Sequence, residues 1–132
     1  MSVEVPYTYE FGPFRLDPTS RLLRRDGEVV PLKPKVFDTL LLLVANHGQV
    51  VSKDRLMEAV WPDTAVEENN LTQNISALRK ALGERPNEHR YIVTVPGQGY
   101  RFVAEVREAR AEGAGLVVEK LTRSRVVIED TA

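Results

Sequence analysis

The stretch EENNLTQNISALRKALG, residues 67–83, decides the fold that is predicted for this chain. Its large apolar side chains are separated by four, three and four residues, so they fall on one face of an α-helix. They are Leu71, Ile75, Leu78 and Leu82. Gly83 follows directly and is typical of a helix end, because glycine readily adopts the left-handed backbone conformation found there. The sequence therefore predicts a helix from about residue 67 to residue 82 with one buried stripe.

Two further helices are predicted upstream of this stretch. Residues 34–47 carry apolar side chains at three- and four-residue spacing, which is typical of a helix with one buried face. After a brief extended segment at Val50-Val51, a shorter helix is predicted over residues 53–60. The hydroxyl of Ser52 can cap its start, and Trp61-Pro62 ends it. The indole of Trp61 is expected to pack against the core rather than to contact a ligand.

Short strands are predicted on both sides of the helices. Four segments separated by turn sequences such as Asp26-Gly27 predict an N-terminal antiparallel sheet. These segments are 7–11, 14–16, 21–24 and 29–32. Downstream, strands over 91–95 and 100–106 flank the turn Pro96-Gly97-Gln98-Gly99, whose tight geometry requires its glycines. The expected fold class is α+β: a winged helix-turn-helix with an N-terminal antiparallel sheet, a three-helix core and a C-terminal β-hairpin wing.

The sequence predicts a domain boundary at residue 106. Residues 1–106 are expected to form the winged helix domain. Residues 107–115 are rich in small and charged side chains and contain two glycines, which predicts a linker. Residues 116–132 contain two β-branched triplets, which predict a tail that is prone to form strands. That tail either adds strands to a sheet or is a junction to a missing region, and both alternatives stay open.

Composition excludes several classes of function. The 132 residues include no cysteine and two isolated histidines, so no metal site and no cofactor is expected. No catalytic spacing is recognised, and no enzyme activity is expected. No apolar run approaches the roughly 20 residues that cross a bilayer, and no secretory signal is recognised, so a cytoplasmic location without a membrane segment is expected. The net charge of −1 argues mildly against nucleic-acid binding, although a neutral total can conceal a basic face.

Several segments of the chain match a known pattern. They are LLLL (40–43), VVSKDRL (50–56), VW (60–61), LRKALG (78–83) and IVTVPGQGYRF (92–102). Over about residues 7–106 the chain resembles the OmpR/PhoB-type effector domain of bacterial transcriptional regulators, of the kind found N-terminally in CadC-like regulators. The resemblance implies sequence-specific binding of double-stranded DNA. It places the helix 67–83 in the major groove and the wing 94–101 on the backbone or in the minor groove.

The exposed face of the helix 67–83 is predicted to be polar. With the apolar stripe buried, a turn of about 100° per residue sends one set of side chains toward solvent and a second set to the flanks. Asn69, Asn70, Gln73, Ser76, Ala77 and Lys80 point outward, and Asn74 and Arg79 lie on the flanks. Asn and Gln can pair with the major-groove edge of adenine, so this face indicates an A·T-containing site. Arg79 and Lys80 can alternatively be an ordinary solvated helix end.

The resemblance implies a set of DNA-binding residues on both the helix and the wing. They are Asn69, Asn70, Gln73, Asn74, Ala77, Arg79 and Lys80 on the helix, and Thr94, Gln98 and Arg101 on the wing. The chain departs from the family pattern where Ser76, Ala77 and Pro96 stand at positions that often carry arginine. Fewer basic residues imply fewer phosphate contacts and weaker binding by one domain, so dimerisation or tandem binding on DNA is expected.

Other partners and one alternative function remain open. The resemblance suggests that the loop 61–66 contacts RNA polymerase. No receiver domain with a phosphoacceptor aspartate fits in the chain, so a phosphorylation switch would lie outside these residues. The alternative function is a winged helix that serves as a protein-interaction or scaffold module without DNA binding. The neutral net charge and the missing arginines motivate this alternative, and salt-sensitive retention on DNA distinguishes the two.

Overall fold

A computed structural model describes residues 7–85 and 87–110 of the chain, without the side chain of Arg110. In chain order its elements are β1 (Tyr7–Phe11), β2 (Phe14–Asp17), β3 (Leu22–Arg25), β4 (Glu28–Val30), α1 (Pro34–Ala45), β5 (Val50–Ser52), α2 (Lys53–Val60), α3 (Glu68–Ala81), β6 (Ile92–Val95), β7 (Gly99–Phe102) and β8 (Arg107–Arg110). The ends of the helices differ from the predicted ones by at most two residues. Their apolar periodicity and end signals are local, so the sequence predicts them well.

The N-terminal sheet has five antiparallel strands in the order β4-β3-β2-β1-β8. Alternation along the strands places Phe11, Phe14, Leu16 and Leu23 on the inner face, where each is at most 2% exposed. The ring of Phe11 meets Phe102 of β7 edge-on, with ring centroids 5.0 Å apart, and so joins this sheet to the wing. The first four strands confirm the predicted N-terminal sheet.

The fifth strand of this sheet corrects the predicted linker. Residues 107–110 do not begin a linker but form β8, which pairs antiparallel with β1 from Glu10↔Arg107 to Tyr7↔Arg110. The segment Arg-Glu-Ala-Arg has no apolar alternation of its own, so its sequence does not predict a strand. The free edge of β1 supplies the backbone partners, and Arg107 Nη2 lies 3.2 Å from Glu10 Oε1. Residues 111–132, with the rest of the predicted linker and the tail, lie outside the described residues.

A second sheet forms the wing, with the strand order β5-β7-β6. The hairpin of β6 and β7 is confirmed, and Val50-Val51, expected to be only briefly extended, belongs to a strand that pairs with β7. The strand predicted to continue to residue 106 ends at Phe102 instead. Its partner β6 begins opposite this residue, at Ile92, so the ladder has no further partner strand.

Two glycines shape the wing for different reasons. Gly97 has a φ of +75°, which residues other than glycine rarely adopt. Gly99 lies against β5, and a Cβ at this position would overlap the carbonyl oxygen of Val51. The tight turn therefore explains Gly97, whereas the close approach of two strands explains Gly99.

The three helices pack against one another, with α1 in contact with both α2 and α3, and their buried side chains form one core with those of both sheets. The predicted stripe of α3 is confirmed, because its four apolar side chains are at most 2% exposed. They are Leu71, Ile75, Leu78 and Leu82. Trp61 is half-buried and packs against this core, as expected. Within residues 7–85 and 87–110, no helix has the length and apolar character needed to cross a bilayer.

Candidate nucleic-acid interface

The outer face of α3 is exposed and polar. Every outward position predicted from the helical period is open to solvent in the structure. These positions are Asn69, Asn70, Gln73, Ser76, Ala77 and Lys80. The only carboxylate on α3 is that of Glu68, in its first turn, and both basic residues lie in its last turn. This distribution suits the helix dipole, and it leaves the middle of the face with uncharged hydrogen-bonding groups.

Asn74 lies on the flank of α3 that faces α1. Its Nδ2 donates to Thr39 Oγ1 at 3.2 Å and to the carbonyl oxygen of Lys35 at 3.3 Å. Thr39 is fully buried and itself donates to Lys35 O. The side chain of Asn74 is therefore engaged in holding α3 against α1, and it does not join the exposed set. The helical period alone does not show this, because the partners of Asn74 lie more than 30 residues away in sequence.

Arg79 connects α3 to the wing. Its Nη2 donates to Thr94 Oγ1 at 3.0 Å and to the carbonyl oxygen of Ile92 at 3.1 Å. Arg79, predicted as a DNA-binding residue of the helix, is thus in direct contact with Thr94, predicted as one of the wing. The guanidinium has five N–H groups, so this bridge leaves further donors on Arg79 for another acceptor.

The wing tip lies next to the start of α2. Gln98 and Arg101 are exposed, and the backbone carbonyl of Gln98 accepts a hydrogen bond from Lys53 N at 3.2 Å. Ser52 caps α2 by accepting from Arg55 N, and it pairs with Gly99 in the sheet. The wing tip is therefore tied to the N-terminus of α2 by backbone contacts.

An ion pair at the start of both helices was not predicted from the sequence. Lys53 Nζ lies 2.8 Å from Glu68 Oε2, and these are the first residues of α2 and α3. The hydrogen bond and the negative charge of Glu68 raise the pKa of the Lys53 ammonium above its ordinary value. The only sequence signal is a basic and an acidic residue at two helix starts, and it does not reveal that the two starts are adjacent.

Glu84 anchors the loop between α3 and the wing. The residue is 7% exposed, and its carboxylate accepts from three backbone N–H groups. The donors are Arg90 N at 2.6 Å, Tyr91 N at 3.0 Å and Ile92 N at 3.3 Å. Residue spacing does not indicate this role, because the three donors lie six to eight residues further along the chain and meet Glu84 only when the chain folds back. Glu84 fixes where β6 begins, and therefore where the wing stands relative to α3.

The sequence of this chain matches that of a known family over most of the described domain. The family described as "Transcriptional regulatory protein, C terminal" matches residues 27–102. The chain belongs to this family. The expected OmpR/PhoB-type assignment is thereby confirmed. The match includes all three helices, β4 and the wing, whereas β1, β2, β3 and β8 lie outside it.

Solved structures with the same fold confirm the winged helix-turn-helix. The DNA-binding domain of Escherichia coli CadC is 30% identical, with a TM-score of 0.67 over 79% of this chain and 98% of that one. The Klebsiella pneumoniae RstA DNA-binding domain, solved in complex with the RstA box, is 32% identical. Its TM-score is 0.65, and the match covers 73% of this chain and 96% of that one.

A curated relative shows how this domain compares in length with whole regulators. The transcriptional regulator HilA of Salmonella typhimurium is 44% identical over 94 residues, which is 71% of this chain but 17% of HilA. The chain thus spans less than one fifth of that relative.

Proposed function

We propose that this chain binds double-stranded DNA sequence-specifically in transcription regulation, with α3 in the major groove and the wing on the adjacent backbone or minor groove. DNA binding is the function that the names of its structural neighbours state. One observation supports this docking above the others: Arg79 bonds the flank of α3 to Thr94 of the wing. The two elements therefore form one continuous surface. The exposed face of α3 meets the groove, and the wing meets the strand beside it.

The base-reading residues are the uncharged ones in the first half of α3. Asn69, Asn70 and Gln73 are exposed, and their amides can each donate to and accept from the N6/N7 edge of adenine. Ala77 offers a methyl group to the methyl group of thymine. A site containing A·T pairs follows from this chemistry. Asn74 contributes through the position of α3, because its amide is bonded to α1.

The phosphate contacts come from the last turn of α3 and from the wing. Lys80 is exposed, and Arg79 keeps donors that the bridge to Thr94 does not use. On the wing, Gln98 in the turn and Arg101 on β7 are exposed. These few charges support a modest affinity for a single domain. Two copies on tandem or repeated half-sites would supply the remaining affinity.

We further propose that the loop 61–66 contacts RNA polymerase and that the protein acts in the cytoplasm, where a bacterial regulator meets its DNA. Most of the loop is exposed, including Asp63 and Thr64. Exchanging these two residues should lower polymerase recruitment at a bound promoter and leave DNA affinity unchanged. Unchanged recruitment, measured by co-retention of polymerase on the promoter fragment, would argue against this contact.

The experiment that tests DNA binding selects bound sequences from a random duplex pool. Fluorescence anisotropy then measures affinity for the enriched site and for a scrambled site at several salt concentrations. An enriched motif and a salt-dependent Kd are expected. Gln73→Ala should reduce the ratio between the two sites by about tenfold, because a good bidentate pair contributes about 1–3 kcal/mol of discrimination. Retention that yields no enriched motif would overturn sequence-specific binding.

Gln49→Ala is the matched control for this experiment. Gln49 is also exposed, but it precedes β5 at the end of that strand away from the wing tip. The ratio between the two sites should be unchanged in this variant. If Gln49→Ala and Gln73→Ala lowered the ratio equally, the assignment of Gln73 as a base-reading residue would be wrong.

A further inference from the structure

The ion pair between Lys53 and Glu68 lies where three DNA-facing elements meet. Among the ion pairs of the described residues it is the only one that joins α2 to α3. The backbone N–H of Lys53 donates to the wing-tip residue Gln98. The pair therefore stands between the helix starts and the wing tip.

The helical period places Glu68 on the same flank of α3 as Arg79. The two residues are eleven positions apart, which is about three full turns of about 3.6 residues. Arg79 bonds to the wing, so Glu68 also lies on the wing side of α3. In a helix-turn-helix, the helix before the reading helix crosses the phosphate backbone. In a duplex bound to α3 and the wing, backbone phosphates must therefore lie close to Lys53 and Glu68.

The ion pair is accessible enough for a phosphate to replace the Glu68 carboxylate on Lys53. The side chain of Lys53 is 33% exposed and that of Glu68 is 58% exposed. Solvent-exposed ion pairs contribute little to stability, so breaking this one costs the fold little. A phosphate oxygen is also a good acceptor for an ammonium group. The Glu68 carboxylate thus occupies a position on Lys53 that a phosphate could take.

We infer that Lys53 is a phosphate-binding residue. Glu68 limits the contribution of Lys53 to DNA affinity, because its carboxylate is paired with the Lys53 ammonium group in the free protein. On binding, the phosphate displaces the carboxylate, so the net gain from Lys53 is small in the natural chain. This reduces the non-specific part of the affinity, which comes from phosphate contacts, and leaves base reading by α3 unaffected. Glu68 is then a residue that determines the ratio of specific to non-specific binding. The inference rests on the DNA binding proposed above.

The test measures anisotropy with a mixed-sequence duplex across a salt series. Four variants are compared with the natural chain: Glu68→Gln, Lys53→Met, the double variant, and Glu67→Gln as control. Glu68→Gln should tighten non-specific binding about eightfold at about 0.1 M salt and steepen the log–log salt slope by about 0.9, as expected for one added phosphate contact. In the Lys53→Met background the same substitution should give little gain. The difference between the effects of Glu68→Gln on non-specific affinity in the two backgrounds is the coupling energy that a double-mutant cycle measures.

Glu67→Gln is a close control because it removes the same charge one residue earlier. Glu67 is the exposed N-cap residue of α3, and its side chain makes no capping hydrogen bond. Its substitution should change non-specific affinity less than Glu68→Gln does, because Lys53 forms its ion pair with Glu68. Thermal unfolding followed by circular dichroism should differ little among the variants, because the pair is accessible to solvent and a charge in the first turn of a helix contributes only about 0.3–1 kcal/mol.

Two results would overturn the inference. Equal gains from Glu67→Gln and Glu68→Gln would mean that the carboxylate acts only through its charge. If Glu68→Gln tightened non-specific binding equally in the Lys53→Met background, Lys53 would not be the residue that the loss of the carboxylate makes available to phosphate. A natural chain without salt-sensitive retention on any duplex would instead overturn the proposed DNA binding itself. That result is visible before any variant is compared.

Discussion

Replacing Glu84 by alanine should destabilise the domain more than any other single change in the loop between α3 and the wing. The carboxylate accepts from three backbone N–H groups, and two of them, Tyr91 N and Ile92 N, are buried. A buried donor left without a partner costs about 1–3 kcal/mol, so two of them predict a loss of about 4 kcal/mol. Domains of this kind have a total free energy of unfolding of about 5–15 kcal/mol. The substitution should therefore remove a large fraction of the stability.

Urea unfolding followed by circular dichroism and by the fluorescence of Trp61 measures this loss. The midpoint should fall, while the dependence of the free energy on urea stays unchanged, because the surface exposed on unfolding is the same. Glu88→Ala is the matched control: Glu88 is exposed and accepts one hydrogen bond, from Arg85 N at 2.7 Å. It should cost less than about 1 kcal/mol. If the two alanine variants differed by less than about 0.5 kcal/mol, the reasoning from the buried donors would be refuted.

Two further predictions concern the wing and the position of α3. Gly99→Ala should open the contact of β7 with β5 and lower the Tm strongly, because a Cβ would meet the carbonyl oxygen of Val51. Gly97→Ala should cost only about 1 kcal/mol of stability, through its positive φ. Calorimetry measures both variants, and an equal loss of stability would contradict the steric argument. Asn74→Ala should lower stability by about 1–2 kcal/mol by removing its bonds to α1. Asn70→Ala should weaken DNA binding and lower the Tm less, because Asn70 makes one exposed hydrogen bond, to Glu67 O at 3.3 Å. A stable Asn74→Ala protein with altered sequence preference would show instead that Asn74 reads a base.

The sequence predicts the elements well wherever the signal is local. The stripe of α3 follows from residue spacing alone, and its burial in the structure agrees with that spacing. Gly83 has a φ of +74° after the end of α3, as its place in the sequence predicts. The hairpin around residues 96–98 is predicted by its turn residues in the same way. The exposed polar face of α3, from Asn69 to Lys80, then follows from the helical period.

Contacts between distant residues required the tertiary structure. β8 is a strand because β1 offers it a free edge, although its own residues carry no strand pattern. The partners of Asn74 and Lys53 lie 35 and 15 residues away, so spacing does not indicate them. Glu84 is an ordinary acidic loop residue until the chain folds back and brings three N–H groups to its carboxylate. The sequence by itself determined the helices, the wing and the polar face, because helical period and turn chemistry act between near neighbours. The tertiary structure alone decided which polar side chains are bonded within the fold, because hydrogen bonds and ion pairs depend on distances in space.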